Sequence, residues 1–297
     1  MTTELKMKLN ENSALVESEL EGCFAGLCDA DIDKIFEAEK YSLLGGGKRI
    51  RAFLVNEFCR MLGGKQEASM PFAAAIEMIH AYSLIHDDLP CMDDDDMRRG
   101  KPSNHKVFGY STALLAGDAL LTRAFLTASR NSYASDEAIA QAVKVMASAA
   151  GDEGMIGGQI IDLDGEEKEL SLEQIVKLHR LKTGALIECA ALLGCIAAGY
   201  SLDSTEAAAA SSYAKKIGLA FQVIDDLLDV IGDEKQLGKT IHSDSANNKR
   251  TFMKYFDCDG AKKYAEELTA EAISDISCFA ESQTLTDLAV YLLDRTY

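Results

Sequence analysis

Apolar residues recur along this chain with the three- and four-residue spacing of an α-helix, not with the alternation of a β-strand. Ile139, Val143 and Met146 share one helix face. Asp136 stands in the turn before them, where a carboxylate favours a helix N-terminus, and Gly151 follows as a stop signal. This segment therefore predicts an amphipathic helix of about four turns.

Capping signals mark the beginnings of further helices. Ser171 and Gln174 have the spacing of a capping box, and Asp203 with Glu206 resembles a second one ahead of a long alanine-rich run. Glycine clusters at 45–47, 63–64 and 151–158 separate the apolar segments. The chain is therefore predicted to form roughly ten or more helices.

Composition favours the same fold class. The chain has only three prolines in 297 residues, Pro71, Pro90 and Pro102, so nearly all of it is free of the strongest helix breaker. No repeat and no linker rich in Pro, Gly or Ser divides it. These features predict an all-α protein with a single domain over residues 1–297.

The predicted helix from about Asp203 to Ile231 carries carboxylates where a core is expected. From Ile217 onward it is apolar almost all round, as in a buried helix. Gln222, Asp225 and Asp229 nevertheless share one side, with Asp226 adjacent. Unpaired, each buried carboxylate would cost several kcal/mol. Magnesium binding would offset this cost, because carboxylate oxygens are its natural ligands; a structural ion pair is the alternative.

A second acidic cluster lies in the stretch HAYSLIHDDLPCMDDDDMRRGKPSNH. Pro71 is predicted to begin a helix that Pro90 ends, and His80, Ser83 and Asp87 share one face of it. Asp87, Asp88 and Asp93 would gather near the break. Asp94, Asp95 and Asp96 are equally compatible with a solvated loop, and His80 with a packed helix-face histidine.

Basic residues concentrate near this acidic cluster. Arg98 and Arg99 follow it, and the loop GGGKRIR adds Lys48, Arg49 and Arg51. Paired cations of this kind suit a diphosphate substrate. GGGK alone is a weak phosphate-loop signal, since no strand precedes it.

Net charge and apolar content limit the partners. Lys and Arg number 30 against 48 Asp and Glu, and the net charge of −18 repels polyanions, so we expect no nucleic acid partner. The most apolar segment, ALIECAALLGCIAAGY, contains Glu188 and is too short to span a bilayer, and the N-terminus lacks a signal peptide. These features predict a cytoplasmic protein without a membrane span.

Two aspartate motifs, DDLPCMD (87–93) and DDLLD (225–229), together with GGGKRIR, RRG, GGQIIDL, KTG, FQ and LGKT, resemble the trans-isoprenyl diphosphate synthase family. The resemblance runs in order from about residue 40 to 255 and is closest to bacterial-type farnesyl diphosphate synthases. It implies the isoprenoid synthase fold, with helices around a central cavity, and a homodimer. It also implies up to three Mg²⁺ ions and isoprenyl diphosphates as substrates.

The resemblance implies roles for individual residues. The magnesium ligands would be Asp87, Asp88, Asp93, Asp225 and Asp229, with Asp226 in support. The allylic diphosphate would be held by Arg98, Lys182, Thr183, Gln222 and Lys239. Isopentenyl diphosphate would be bound by Gly47, Lys48, Arg51, His80 and Arg99. The aspartates 87, 88, 93 and 225 and the lysines 182 and 239 would serve the chemical step directly.

The implied reaction joins isopentenyl diphosphate to dimethylallyl or geranyl diphosphate. Tyr82 and Ser83 stand five and four residues before Asp87, where this family places the floor of the elongation pocket. Five helical residues rise about 7.5 Å, so a Tyr ring there would stop a growing tail. With Pro90 and Cys91 inserted in the first motif, this predicts (2E,6E)-farnesyl diphosphate as product.

Other functions stay open from the sequence. Geranyl or geranylgeranyl diphosphate would be made by the same chemistry with a different floor, and a noncatalytic partner subunit would share the fold but commonly lose one motif. A terpene cyclase would need no isopentenyl pocket. A helical divalent-cation buffer would leave the clustered arginines unexplained.

Overall fold

A computed structural model describes residues 1–237 and 251–294, without the side chains of Glu166 and 232–237. Thirteen α-helices are found in these ranges: α1 Thr3–Gly22, α2 Asp33–Leu43, α3 Ile50–Met61, α4 Gln66–Asp87, α5 Asn104–Phe108, α6 Tyr110–Ser129, α7 Asp136–Ala150, α8 Met155–Glu167, α9 Leu172–His179, α10 Ala185–Ala197, α11 Thr205–Leu237, α12 Cys258–Ile276 and α13 Gln283–Leu293. Two-residue strands β1 Met97–Arg98 and β2 Lys101–Pro102 form an antiparallel hairpin. The predicted all-α class is confirmed.

Helix α4 lies at the centre of the core. It packs against α3, α6 and α10, and α10 in turn packs against α3 and α11. Its apolar residues from Phe72 to Ile79 are fully buried. Apolar residues fill seven of the eight positions from 72 to 79, which allows α4 to be enclosed, and the one charged residue, Glu77, is buried with Arg49 as its partner.

The predicted start of α4 at Pro71 is wrong. The helix begins at Gln66, and Pro71 lies inside it. Proline removes one helical hydrogen bond and normally disfavours a helix interior. Here the burial of Ala68, Met70 and Phe72 on both sides of Pro71 favours the longer helix. The predicted end near Pro90 agrees with the observed last residue, Asp87.

Helix caps were predicted with mixed success. The capping box of Ser171 and Gln174 is present at the start of α9, and Gly151 ends α7. The cap of α11 is provided not by Asp203 but by Ser204, whose hydroxyl accepts the Ala207 N–H at 3.1 Å. The observed cap is one residue after the predicted one, which is within the usual uncertainty of a helix boundary.

A π-helical turn, Arg180–Gly184, joins α9 to α10. Two neighbouring helices approach it at glycines. A Cβ at Gly158 of α8 would lie 2.2 Å from the backbone N of Lys182, and one at Gly218 of α11 would lie 3.2 Å from the Gly184 Cα. Wider turns of this kind are frequent at functional sites. The glycines therefore allow α8 and α11 to enclose a turn that presents Lys182 and Thr183.

Within the described residues, α4 is long and apolar enough to cross a membrane, but 78% of its most apolar window is buried inside the protein. The core helix of a soluble protein has the same length and composition. This helix is therefore weak evidence for a membrane span.

Candidate active site

The first aspartate motif forms a turn at the end of α4. The Asp93 N–H donates to the Asp87 carbonyl at 2.9 Å, and the Asp94 N–H donates to the Leu89 carbonyl at 3.2 Å. Burial raises the pKa of Asp87 to about 6, Lys182 opposes the rise and Asp93 adds to it. The turn therefore brings two carboxylates together, one half-buried and one exposed.

Asp88 faces away from this pair and binds Arg98. Its carboxylate is 2% exposed and accepts from Arg98 Nε at 2.9 Å and from Nη2 of the same guanidinium. Arg98 also contacts Asp95 at 3.3 Å. Burial raises the pKa of Asp88, and Arg98 limits that rise. Asp88 is thus a partner of Arg98 in this structure.

Arg98 and Arg99 are positioned by the β1–β2 hairpin. Its two turn residues, Arg99 and Gly100, have φ values of 53° and 76°. Positive φ at both positions is the signature of a type I′ turn, for which glycine is favoured at the second position. The RRG sequence therefore forms the hairpin turn, in which Arg98 binds Asp88 and Arg99 donates to the Gly46 carbonyl.

The second aspartate motif lies on α11. Asp225 is half-buried, and its Oδ2 accepts from Gln222 Nε2 at 3.3 Å, while Asp229 is exposed. Asp226 is 8% exposed and accepts the backbone N–H of Phe252 at 2.8 Å. Burial raises the pKa of Asp226 to about 7, against the effect of that N–H. Asp226 is thus tied to the chain segment that begins at residue 251.

Lys182 lies between the two motifs. Its Nζ binds Asp162 Oδ2 of α8 at 2.5 Å. Burial lowers the pKa of Lys182, but Asp162, then Asp87 and Asp93, outweigh it and the net pKa is raised. Asp162 also acts on Asp226. The Lys182–Asp162 pair therefore acts on both motifs, and the half-buried Thr183 follows Lys182 in the π turn.

The predicted isopentenyl pocket is partly assembled. Burial lowers the pKa of His80 well below its usual value, and four guanidinium groups add to that effect: those of Arg51, Arg99, Arg49 and Arg98. Burial likewise lowers the pKa of Arg51, whose Nε has no hydrogen-bond partner among the described residues. A neutral His80 therefore stands within a dense group of cations.

Gly47 and Lys48 complete the loop before α3. Arg99 donates to the Gly46 carbonyl, and a Cβ at Gly47 would lie 2.9 Å from the Arg99 guanidinium. The φ of 131° favours glycine at 47, and a Cβ there would also require the end of the Arg99 side chain to shift. Lys48 points elsewhere, with its Nζ 5.2 Å from the ring centroid of Tyr291 on α13.

Tyr82 and Ser83 lie one turn and more before the first motif. Tyr82 is 5% exposed and packs edge-on against His86, with ring centroids 5.7 Å apart. Its hydroxyl lacks a hydrogen-bond partner in the described part of the chain, and burial raises its pKa to about 12. Ser83 donates to the His80 carbonyl at 2.9 Å. The Tyr82 side chain is thus buried in the helix turns before Asp87.

The polyprenyl synthetase family matches residues 33–287 of this chain. The chain belongs to the polyprenyl synthetase family. It is 42% identical over 276 residues to farnesyl diphosphate synthase of Haemophilus influenzae, covering 93% of each chain. It is 45% identical over 270 residues to heterodimeric geranylgeranyl pyrophosphate synthase large subunit 1 of Arabidopsis thaliana, covering 88% of this chain and 72% of that one.

Solved structures of the family share the fold. An apo FPP/GFPP synthase from Zymomonas mobilis superposes with a TM-score of 0.89 at 34% identity, covering 99% of this chain and 100% of that one. This similarity confirms the isoprenoid synthase fold. All site residues described above lie within the range that the polyprenyl synthetase family matches.

The donor set suits a hard divalent cation. Oxygen ligands from Asp87, Asp93, Asp225 and Asp229 are the type that magnesium prefers. Burial already raises the pKa of Asp87 to about 6, so its carboxylate gains from a nearby positive charge. The residues present therefore fit a magnesium site of a polyprenyl synthetase.

A further acidic group lies beside the hairpin. Donor atoms of Asp94, Asp96 and His105 lie within 4.8 Å of one another and could hold a metal ion. Lys106 already pairs with Asp96 at 2.6 Å, and both aspartates are exposed. These contacts favour the solvated-loop interpretation for residues 94–96.

Some site residues were not predicted. Asp162 belongs to the motif GGQIIDL, which was noted without a role for that carboxylate. Arg49 and Glu77 form a buried ion pair at 3.2 Å beside Arg51 and His80. His179 contacts Gln222 and Asp226 behind the second motif. The predicted Lys239 lies outside the described residues.

Proposed function

We propose that this protein is a magnesium-dependent prenyltransferase that condenses isopentenyl diphosphate with dimethylallyl or geranyl diphosphate to give farnesyl diphosphate and diphosphate. The observation that carries the proposal is the position of Lys182. Its ammonium group is influenced by Asp162, Asp87 and Asp93 together, so carboxylates from separate helices converge on one cation. A group of four arginines, which includes Arg98, lies near enough to His80 to lower its pKa.

The acidic side of the site would bind the allylic substrate. Asp87, Asp93 and Asp225, with Asp229, would hold up to three Mg²⁺ ions. When bound there, magnesium supplies positive charge against the diphosphate that leaves. Asp88 and Asp226 would support the metal ligands, because Asp88 Oδ1 already accepts from Arg98 and Asp226 Oδ2 already accepts the Phe252 N–H.

Three cations of this chain would complete the allylic site. Lys182 and Arg98, with Lys239, would bind the leaving diphosphate, since fixed cations stabilise the charge that develops on it. Thr183 and Gln222 would add hydrogen bonds beside them. Lys182 would exchange its bond to Asp162 for one to the substrate.

Isopentenyl diphosphate would be bound by charge contacts alone. Lys48, Arg51 and Arg99 would contact its diphosphate, and Gly47 would allow the backbone to approach. The neutral His80 can donate one hydrogen bond without adding a further buried charge. Isopentenyl diphosphate must stay intact, so a pocket without metal ligands suits it.

The chemistry requires no covalent nucleophile. The allylic carbon–oxygen bond breaks, the isopentenyl double bond attacks the resulting cation, and a proton is lost to the departing diphosphate. Apolar residues on the inner faces of α4 and α6 would exclude water from the cation.

Tyr82 supports a fifteen-carbon product. Its ring is buried one and a half turns before Asp87, where it would end the elongation pocket. A second candidate is geranylgeranyl diphosphate, because an Arabidopsis relative at 45% identity is a geranylgeranyl pyrophosphate synthase large subunit. The structurally similar enzyme of Zymomonas mobilis is named an FPP/GFPP synthase, so relatives of this chain differ in product length.

A second copy of this chain is the partner that we propose. Exposed apolar side chains concentrate on α6 and just before it: Val107, Tyr110, Leu114, Leu115 and Leu126. A homodimer would cover such a patch. We also propose a single domain and a cytoplasmic location, as the sequence predicts. Light scattering on the wild type and on Leu115→Lys would test the dimer, since only the wild type should have twice the mass of one chain.

A product assay tests the function. Purified protein, Mg²⁺, labelled isopentenyl diphosphate and either allylic starter are incubated, and the dephosphorylated products are separated by length. Farnesol is expected from both starters. Geranylgeraniol would keep the chemistry and contradict the role of Tyr82, whereas no extension would favour a noncatalytic partner subunit.

The variant Asp225→Ala tests whether this carboxylate serves turnover and not folding. It should abolish turnover while far-UV circular dichroism stays unchanged, because the helix is packed by other residues. Asp203→Ala serves as the control, since Asp203 is exposed and does not cap α11. Unfolding of Asp225→Ala would indicate a structural carboxylate instead.

A further inference from the structure

We propose that His179 is a positioning residue for the second aspartate motif, and that its ring N–H orients the Gln222 amide so that the amide donates to Asp225. The inference rests on the proposed function, because it concerns the carboxylate that would bind magnesium. His179 is the last residue of α9 and directly precedes the π turn.

The direction of each hydrogen bond determines which group donates and which accepts along the series His179, Gln222 and Asp225, which we call the relay. Gln222 Nε2 lies 3.3 Å from Asp225 Oδ2, and Gln222 Oε1 lies 3.2 Å from His179 Nδ1. A carboxylate only accepts, so the amide must present its NH₂ group to Asp225. Its oxygen then faces His179, and the imidazole must carry its proton on Nδ1.

The imidazole is itself held in place. Its ring stacks on Phe252, with centroids 5.2 Å apart and planes 18° apart. The side chain is 12% exposed. Phe252 is fully buried, and its backbone N–H donates to Asp226 at 2.8 Å. The ring therefore has a defined plane in which its Nδ1–H points at Gln222.

The other ring nitrogen supports this assignment. Nε2 of His179 lies 3.7 Å from Asp226 Oδ2, and it has no hydrogen-bond partner within residues 1–237 and 251–294. A proton on Nε2 would be expected to draw the two atoms into hydrogen-bond range. The longer separation agrees with a proton on Nδ1.

Losing the His179 N–H would leave the Gln222 oxygen without its buried donor. The amide could then rotate away from Asp225, and its hydrogen bond to that carboxylate would be lost. Partners of this kind behind a metal ligand typically change metal affinity by about 10- to 100-fold when removed. We expect the same range for the Mg²⁺-dependent binding of diphosphate.

Two substitutions separate positioning from packing. His179→Phe keeps the ring that stacks on Phe252 and removes the N–H. His179→Asn keeps an N–H near the position of Nδ1 and removes the ring. Calorimetry measures the affinity of each full-length variant for inorganic pyrophosphate with Mg²⁺, and thermal unfolding measures stability.

Positioning predicts that His179→Phe binds about 10- to 100-fold more weakly at nearly unchanged melting temperature. His179→Asn should retain most of the affinity and lose stability. The opposite order, with His179→Asn weak and His179→Phe normal, would overturn the inference. Wild-type protein that binds no pyrophosphate would overturn the proposed function as well, whereas normal binding by both variants would overturn the inference alone.

Two further measurements do not depend on a single variant. In a Gln222→Ala background, His179→Phe should cause no further loss of affinity, and additive losses would contradict the relay. Nitrogen-15 spectra of the five histidines in wild-type protein should show His179 as the Nδ1–H tautomer. An Nε2–H tautomer would overturn the assignment even if the variants failed to fold.

Discussion

The buried pair of Glu77 and Arg49 provides the sharpest stability test. Glu77 is 2% exposed; its Oε2 lies 3.2 Å from Arg49 Nη1, and its Oε1 accepts the Ala52 N–H at 3.1 Å. Arg49 has two other contacts, the Leu43 carbonyl at 2.6 Å and the half-exposed Glu17 at 3.7 Å. Glu77→Ala would leave a buried guanidinium with little compensation.

The magnitude follows from these contacts. Removing one partner of a buried ion pair costs about 3–5 kcal/mol, because the remaining charge stays desolvated. Glu77→Gln keeps an acceptor for the Ala52 N–H and most of the volume, so the expected loss is smaller, roughly 2 kcal/mol. Which variant loses more unfolding free energy is therefore as informative as the size of either loss.

Urea unfolding followed by circular dichroism measures both variants. The control is Glu266→Ala, which breaks the exposed pair of Lys262 and Glu266 at 4.0 Å and should cost less than about 1 kcal/mol. If Glu77→Ala were no less stable than this control, the reasoning from burial would be refuted. We also expect Glu77→Gln to raise the KM for isopentenyl diphosphate more than the KM for the allylic substrate, since Arg49 lies between Lys48 and Arg51.

Three further outcomes are expected. Without Mg²⁺, the raised pKa of Asp226 means that the folded state binds a proton more tightly than the unfolded one between the ordinary value of 3.8 and about 7. Stability should therefore fall as pH rises through this window, and Asp226→Asn should reduce that slope in unfolding titrations, whereas an unchanged slope would assign it to other groups. Gly158→Ala should displace the backbone of Lys182, which a Cβ would approach to 2.2 Å, and lower kcat in the product assay; full activity would mean that α8 can move aside. Tyr82→Phe should leave stability unchanged or increase it in thermal unfolding, because it removes a buried hydroxyl that lacks a partner among the described residues, and a loss above about 1 kcal/mol would reveal an undetected bond.

The aspartate motifs could be predicted because each contradicts its surroundings. A carboxylate inside an apolar helix, as at Asp225, is costly to bury without a partner, and the sequence pattern alone indicates this cost. The start of the helix that carries Asp225 was predicted nearly where it is observed, because residues with capping-box spacing precede a long alanine-rich run. The start of α4 was not, because packing around Pro71 outweighed the local preference of proline.

Partners that come from distant parts of the chain could not be predicted. Asp162 meets Lys182 across 20 residues, and His179 meets Gln222 across 43. Arg49 illustrates a local reason as well. Its φ of 49° at the start of α3 turns its side chain inward, and nothing in GGGKRIR indicates which cation does so. Pairings set by tertiary packing leave no periodic signal.

The internal pairs explain how an acidic protein can bind polyanionic substrates. In this structure Asp162 pairs with Lys182 and Asp88 with Arg98, so the two described cations of the proposed allylic site each have a carboxylate partner. A diphosphate that takes these cations releases carboxylates into a half-buried region, which is unfavourable. Magnesium arriving with the diphosphate would neutralise them. Around His80 the balance is reversed, because four guanidinium groups act on it, whereas buried carboxylates pair with two of them, Glu77 with Arg49 and Asp88 with Arg98. The proposed dependence on metal on the allylic side alone therefore follows from where this chain leaves its charges unbalanced.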